Sequence, residues 1–387
     1  MDIGLVVYGG LEETSGGFRY DRRLVEYLRA QGDTVDVIAL PWHSYWRGVA
    51  DGLRPAVATR LNRSVDVLLQ DELCHPSLWR QTHRLTKPGA VVALVHHVGS
   101  DDSRGRFPRL RRWIERRYLD SVDATICTSA FTRSRARGLG ADLGESLVAQ
   151  PAGRAEGAAT DAPAVRQRAA DGPLRITFVG NLLPRKDPLT LLSAVETLAR
   201  RHECTDWQVT VVGSHEAEPE YAAEVVDRTA ALGLDDRVAF TGAVDDDELT
   251  GVLEASHVLC VPSRYEGFGM VYLEAMEYGV VPIASANGGA GEFVSDGDNG
   301  FLVDPGDADR IAALLADLAA DRDRLADLGV AALDTAAAHP SWEETLADVR
   351  SLLARVATDR STAADRPTEV DGGSPSTEPH ADRSEQS

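Results

Sequence analysis

Short β-rich apolar runs alternate with stretches of helical period, and they do so twice along the chain. In the first series Ile3–Val7 is followed by a loop with Ser15, Gly16 and Gly17, then by a helical pattern over Phe18–Ala30 that Gly32 stops, then by Thr34–Ala39. Further runs stand at Val65–Leu69, Ala90–Val95 and Ala124–Thr128. The second series predicts strands at Arg175–Val179, Gln208–Val212, Val238–Phe240, Val258–Val261 and Val281–Ala284. Between them lie helical patterns over Leu189–Arg201, Tyr221–Leu232, Asp246–Ala255 and Phe268–Tyr278. Short strands separated by helices imply a parallel sheet covered on both faces. Two such series predict an α/β chain of two Rossmann-like, doubly wound domains, with the ligand in the cleft at the carboxyl ends of their strands.

The 387 residues exceed what one core usually serves, in keeping with two domains. Residues 152–173 are Ala, Gly, Pro and charge without a period, and read as a connection. The expected division is therefore 1–172 and 173–340. Helical patterns follow over Asp309–Ala319, Arg322–Ala338 and Trp342–Ala357, and residues 358–387 are polar enough to be a disordered tail.

Charge narrows the function. The chain has 61 acidic and 40 basic residues, a net −21, which argues against nucleic acid as the partner. Its only lysines are Lys87 and Lys186. An acidic, lysine-poor surface fits a high-salt cytoplasm; a genome whose base composition depletes lysine is the alternative. Residues 1–150 carry +3 and the remainder −24, so the halves face different partners. No run reaches the roughly 18 apolar residues of a membrane span. MDIGLVVYGG reads as a first strand, not a signal peptide. Cys74, Cys127, Cys204 and Cys260 are far apart, so neither a zinc nor a redox motif is formed, and a cytoplasmic location is expected.

The segment VPSRYEGFGMVYLEAMEYGVVPIASANGGAGEFV carries the chemistry. Glu266, Gly267, Phe268 and Gly269 sit at a strand-to-helix turn, where glycines let a ligand approach the backbone and free N–H groups suit a diphosphate. Glu274 lies on the following helix. Two glutamates alone are more often a cap and a solvated side chain, but their surroundings reverse that reading. In GNLLPRKDPLTLL, Arg185 and Lys186 occupy the turn after the strand ending at Gly180, at the same sheet edge. Adjacent cations there neutralise a diphosphate leaving group. Asn287, Gly288 and Gly289 make a third turn on that side. Asp245–Asp247 resembles a metal cluster but stands just before a helix, where acids cap.

On these residues the chain resembles the retaining glycosyltransferases of family 4, which have the GT-B fold. The hallmark is E-x7-E, here Glu266 to Glu274, joined to EGFG, to the Arg185–Lys186 turn and to GG-x-x-E at Gly288–Glu292. The resemblance runs from the Gly16–Gly17 loop to about Trp342. It implies that Arg185 and Lys186 hold the donor diphosphate, Glu266 contacts the donor sugar and Glu274 holds the ribose. Gly267, Phe268, Gly269 and Met270 would lend backbone N–H groups. Gly16, Gly17 and Gly180 would lie near the donor phosphates, and Gly242–Val244 beside the base. It also implies a final helix crossing back to the first domain, retention of configuration and no metal or other cofactor. The expected reaction is transfer of a sugar from a nucleotide-diphosphate sugar to a glycan or lipid-linked acceptor. A 2-epimerase type of nucleotide-sugar enzyme and a non-catalytic sugar-binding partner subunit are the alternatives.

In the first half, Gly16–Gly17 is not G-x-G-x-x-G, so no dinucleotide site is indicated. His96 and His97 follow the strand Ala90–Val95. Side chains alternate along a strand, so one of them is expected to face the cleft, and the resemblance favours His96 as the catalytic one, with His97 toward the acceptor. Between Arg104 and Arg117 lie seven arginines and one glutamate, interleaved with Phe107, Leu110, Trp113, Ile114 and Tyr118. A solvated helix face is the plain reading. In so acidic a chain, Arg109, Arg111, Arg112, Trp113 and Arg116 instead suggest a phosphate-bearing acceptor or the inner face of an anionic membrane.

Overall fold

The computed structural model describes residues 1–12, 15–101, 107–201 and 206–364. The first half runs β1 (Asp2–Tyr8), α1 (Gly16–Ala30), β2 (Thr34–Leu40), α2 (Tyr45–Asp51), α3 (Pro55–Leu61) and β3 (Val67–Asp71). It continues with α4 (His75–Leu78), β4 (Ala90–Val95), α5 (Pro108–Leu119), β5 (Ala124–Cys127), α6 (Ala130–Gly138) and β6 (Glu145–Val148). The second half runs α7 (Ala162–Ala169), β7 (Leu174–Val179), α8 (Pro188–Arg201), β8 (Trp207–Val212), α9 (Pro219–Ala231), β9 (Val238–Gly242) and α10 (Asp246–Ala255). It ends with β10 (Val258–Val261), α11 (Met270–Met276), β11 (Val281–Ser285), β12 (Phe301–Val303), α12 (Ala308–Ala320), α13 (Arg322–Ala338) and α14 (Trp342–Ala364).

The strands form two six-stranded sheets, ordered β2-β1-β3-β4-β5-β6 and β12-β11-β10-β7-β8-β9. The registered pairs are parallel throughout. All six residues of β4 are buried, as a strand covered on both faces requires. In each sheet the chain leaves the first strand toward one side and later returns to its other side. That switch opens a crevice at the carboxyl end of β1 and of β7. The Gly16–Gly17 turn, Gly180 and the Ser263–Gly269 loop all lie there.

Local chemistry explains the helix ends. Ser15 Oγ accepts the Phe18 N–H at the start of α1, and Tyr20, Leu24, Val25 and Leu28 bury its inner stripe. Asp245 and Glu248 form a reciprocal capping box at α10, so the acidic run is a helix start, as expected.

The structure departs from the sequence reading in five places. β6 and β12 are additional edge strands. Residues 152–173 are not wholly a connection, because α7 lies within them and its Val165 is buried against Gly279 and Gly329. Gly269 has a φ of 93°, so α11 starts at Met270 rather than Phe268. α14 reaches Ala364; the rest of the tail lies outside the described residues.

α14 packs on the first half. Trp342, Leu346, Val349, Leu352, Leu353 and Val356 share one core with Ile3, Leu5, Leu24 and Val92. Arg350 anchors the helix through Asp33, Nε to Oδ2 at 2.7 Å. At roughly 2 kcal/mol per buried apolar side chain, this stripe fastens the end of the chain to the first sheet.

Candidate active site

Lys186 N–H donates to the Leu183 carbonyl at 2.9 Å, folding the turn after β7 so that the lysine stem lies beside Gly180. Its Nζ is 2.9 Å from Glu266 Oε2. Arg185 Nη1 is 3.4 Å from the same oxygen and donates to the Tyr265 carbonyl at 3.1 Å. Ser263 Oγ donates to Glu266 Oε2 at 2.9 Å. Burial works against the Glu266 charge, yet Lys186 and Arg185 outweigh it and hold this carboxyl down at about 2. Burial, with the Arg185 charge beside it, lowers the Lys186 pKa despite Glu266. Both directions have one origin: two cations share one buried carboxylate, leaving a surplus positive charge.

Glu274, on the inner face of α11, is held from two sides. Arg19 of α1 reaches its Oε1 at 2.8 Å, and Arg154 reaches its Oε2 at 3.1 Å. Arg154 also pairs with Asp246. Thus the first-half glycine turn, the connection and the second-half helix converge on one carboxylate.

Across the cleft stands the end of β4. Both His96 and His97 line the cavity, so the expectation that only one faces it is corrected. Strand alternation ends at Val95, and the two histidines lie on the bend beyond it. His96 Nε2 is 3.1 Å from Asp21 Oδ1. Burial and the nearby Arg185 charge lower the His97 pKa to about 4, so its ring is neutral. The two halves touch closely here. A Cβ on Gly267 would lie 2.1 Å from the His96 carbonyl oxygen, so only glycine fits. Ser129 Oγ donates to the Gly267 carbonyl at 2.7 Å. Glu292, the glutamate of GG-x-x-E, accepts the Ala130 and Phe131 N–H groups at the start of α6, at 3.0 and 2.8 Å.

The cleft has a volume of about 440 Å³. Gly16, Gly17, His96, His97, Gly180, Arg185, Lys186, Val244, Glu266, Gly267, Phe268, Gly269, Met270 and Glu274 all line it. Gly242 does not. The Phe268 ring turns into the core against Phe293, centroids 4.9 Å apart, which leaves its backbone for a ligand. Sequence reading missed Arg19 and Arg154. A cation in the first turn of α1 opposes the helix dipole, a signal that could have exposed Arg19; Arg154, in an aperiodic stretch, had none.

None of Arg109, Arg111, Arg112, Trp113 and Arg116 lines the cleft. Arg111 turns inward, donating to the Gly99 carbonyl at 3.2 Å and lying 4.4 Å from the Tyr45 ring centroid. It belongs to the support of the β4 loop, because it shares the inner side of α5 with Glu115, whose carboxylate accepts the Gly99 and Ser100 N–H groups. Arg109, Arg112, Trp113 and Arg116 stay on the outside with Phe107 and Leu110. Arg104 and Arg106 lie outside the described residues.

The family model for glycosyl transferases group 1 matches residues 163–334. The chain is 31% identical over 288 residues, 70% of its length and 71% of the relative's, to the GDP-mannose-dependent alpha-(1-6)-phosphatidylinositol monomannoside mannosyltransferase of Mycobacterium tuberculosis. The chain belongs to the group 1 glycosyltransferases. It is also 30% identical over 284 residues, 72% of its length and 65% of the relative's, to the D-inositol 3-phosphate glycosyltransferase of Corynebacterium diphtheriae. Among solved structures, sucrose-phosphate synthase from Thermosynechococcus elongatus superposes with a TM-score of 0.79 at 22% identity, covering 92% of this chain and 99% of that one. HepE of Anabaena, solved with UDP and glucose, gives 0.72 at 19% identity, covering 92% and 100%. The two facing sheets are thus the GT-B fold, and the enzyme is a glycosyltransferase of the hexosyl-transferring class.

Proposed function

We propose that the enzyme moves a hexose from a nucleotide-diphosphate sugar to a lipid-linked or glycan acceptor, with retention of anomeric configuration. The observation that carries this reading is the cluster of Lys186 and Arg185 on the buried Glu266, two cations to one carboxylate. A diphosphate supplies the missing negative charge. Lys186 and Arg185 stabilise it as the C1–O bond to phosphate breaks, in the role a metal plays elsewhere. Glu266 and His96 meet sugar hydroxyls and Glu274 the ribose, while Val244 flanks the base. The acceptor hydroxyl forms the new bond to C1 on the face the phosphate leaves, and its proton passes to the departing phosphate oxygen. Rate enhancement then rests on orientation and leaving-group stabilisation.

The outer side of α5 supports a lipid-bearing acceptor at an anionic membrane face. Phe107, Leu110 and Trp113 are 60, 44 and 49% exposed there, beside Arg109, Arg112 and Arg116. Among the described residues no helix is long and apolar enough to cross a membrane. The contact proposed is peripheral, by an otherwise cytoplasmic enzyme, and rests on this exposed basic and aromatic side of α5. Two of the relatives' names carry inositol acceptors, one of them a phospholipid. The test is a screen of UDP- and GDP-hexoses for nucleotide release, with and without phosphoinositide vesicles. Release stimulated by one donor and an acceptor is expected. Conversion of a donor to its epimer, or no binding of any donor, would overturn the reading in favour of a 2-epimerase or a sugar-binding subunit.

A further inference from the structure

Behind His96 lies a buried pair of acids. Asp21, on the inner side of α1, is fully buried, and its Oδ1 is 3.1 Å from His96 Nε2. Asp71, at the end of β3, is buried too; one oxygen of each acid and a ring nitrogen of His96 lie within 4.8 Å of one another. Asp71 Oδ1 accepts the Leu73 N–H at 2.9 Å, whereas Asp21 Oδ2 has no hydrogen-bond partner among the described residues. The ring is wedged in place. A Cβ on Gly17 would lie 3.2 Å from its Cδ2, and the Tyr20 ring meets it edge-on at 5.5 Å. Asp21 occupies Nε2, so Nδ1 is the nitrogen left to meet a ligand.

The charge state of this ring decides what it does. An ionised carboxylate buried without a cation is costly. Two acids this close do not both ionise unless a cation joins them. Burial, and then the Asp21 charge, push Asp71 up to about 7. Burial lowers His96, but Asp21 outweighs it, and Asp71 adds to the same effect, so its pKa is raised. The groups facing the ring are Asp21 on α1, Asp71 on β3 and the neutral His97 on its own loop, with Arg185 and Glu266 beyond His97.

We propose that Asp21 is the positioning residue of His96, fixing its ring and holding it as an imidazolium, so that Nδ1–H donates to a hydroxyl or phosphate oxygen of the substrate and the ring does not serve as a general base. This rests on the reading of His96 as a substrate-binding residue.

The test is a pH titration of histidine side-chain nitrogens by NMR in the full chain, with no substrate present. The sequence has 10 histidines, and His96→Gln assigns the signal. The wild-type midpoint is expected above the ordinary value of about 6.5. Asp21→Asn keeps the shape and removes the charge, and should lower that midpoint by about one pH unit or more while the other signals stay put. A wild-type ring neutral at pH 6, or a midpoint unmoved in Asp21→Asn, would overturn the proposal. Turnover separates it from the reading beneath. Once a donor is found, the alkaline limb of kcat/KM should move down with the NMR midpoint in Asp21→Asn. If His96→Gln instead turns over at the wild-type rate, the substrate-binding role of His96 falls, whatever the titration shows.

Discussion

Lys186 Nζ and Glu266 Oε2 lie 2.9 Å apart in a cleft that joins two sheets, and Arg185 stands 3.4 Å from the same oxygen. The pairing leaves a pH signature in stability. Glu266 titrates at about 2 in the folded chain and near 4.3 when unfolded. Its contribution is therefore fully present above about pH 4.3 and is lost as the pH falls through about 2. The stability gap between wild type and Glu266→Gln, measured by urea unfolding, should narrow by roughly 2 kcal/mol between pH 6 and pH 3. A gap that stays constant would contradict the assignment.

Gly267→Ala should strike activity harder than stability. The new Cβ would fall 2.1 Å from the His96 carbonyl oxygen, so the Glu266 loop and the β4 end must move apart. A shift of about 1 Å in catalytic geometry costs on the order of 100-fold in turnover. Steady-state kinetics beside a thermal melt checks this; activity within twofold of wild type would mean that the close approach has no functional weight.

Leu352→Ala tests the crossing helix. Leu352 is fully buried in the core that α14 shares with the first sheet. The loss should be about 2–5 kcal/mol in urea unfolding, with nucleotide affinity of the folded enzyme unchanged. A loss under about 0.5 kcal/mol, the range of ordinary surface substitutions, would mean that α14 is not fastened there.

Replacing Arg109, Arg112 and Arg116 together by Gln should weaken binding to anionic vesicles. At about 1 kcal/mol per arginine near such a surface, the partition constant should drop on the order of 100-fold. Vesicle sedimentation measures it, and turnover of a water-soluble acceptor should be untouched. Equal binding of the triple variant would remove the membrane reading of α5.

The strands were legible because β4, β7 and β10 are apolar enough to announce themselves, and the turns after β7 and β10 because Lys186 is one of two lysines in the chain and Gly267 and Gly269 stand two apart at a strand-to-helix turn. β6 and β12 were not, since four- and three-residue edge strands carry too little pattern. The site's second tier was hidden for a different reason. Arg19 and Arg154 lie far from Glu274 in sequence and meet it only through the packing of two sheets. Asp21 looked like one more polar residue on an amphipathic helix, and Arg111 like one more member of a basic run, because sequence does not say which neighbour a buried charge finds. The His96–His97 pair was misjudged by extending the strand rule two residues beyond Val95, the end of β4.

The cation cluster is the centre of the account, and calorimetric titration of Lys186→Ala tests it most directly. UDP and GDP, with the matching nucleosides, would be titrated into wild type and variant. The wild type should bind one diphosphate well above its nucleoside. The variant should lose about 10- to 100-fold for the diphosphate, the worth of one charge-assisted contact, and little for the nucleoside. Equal diphosphate affinity in the two proteins would contradict the claim that Lys186 is there to receive it.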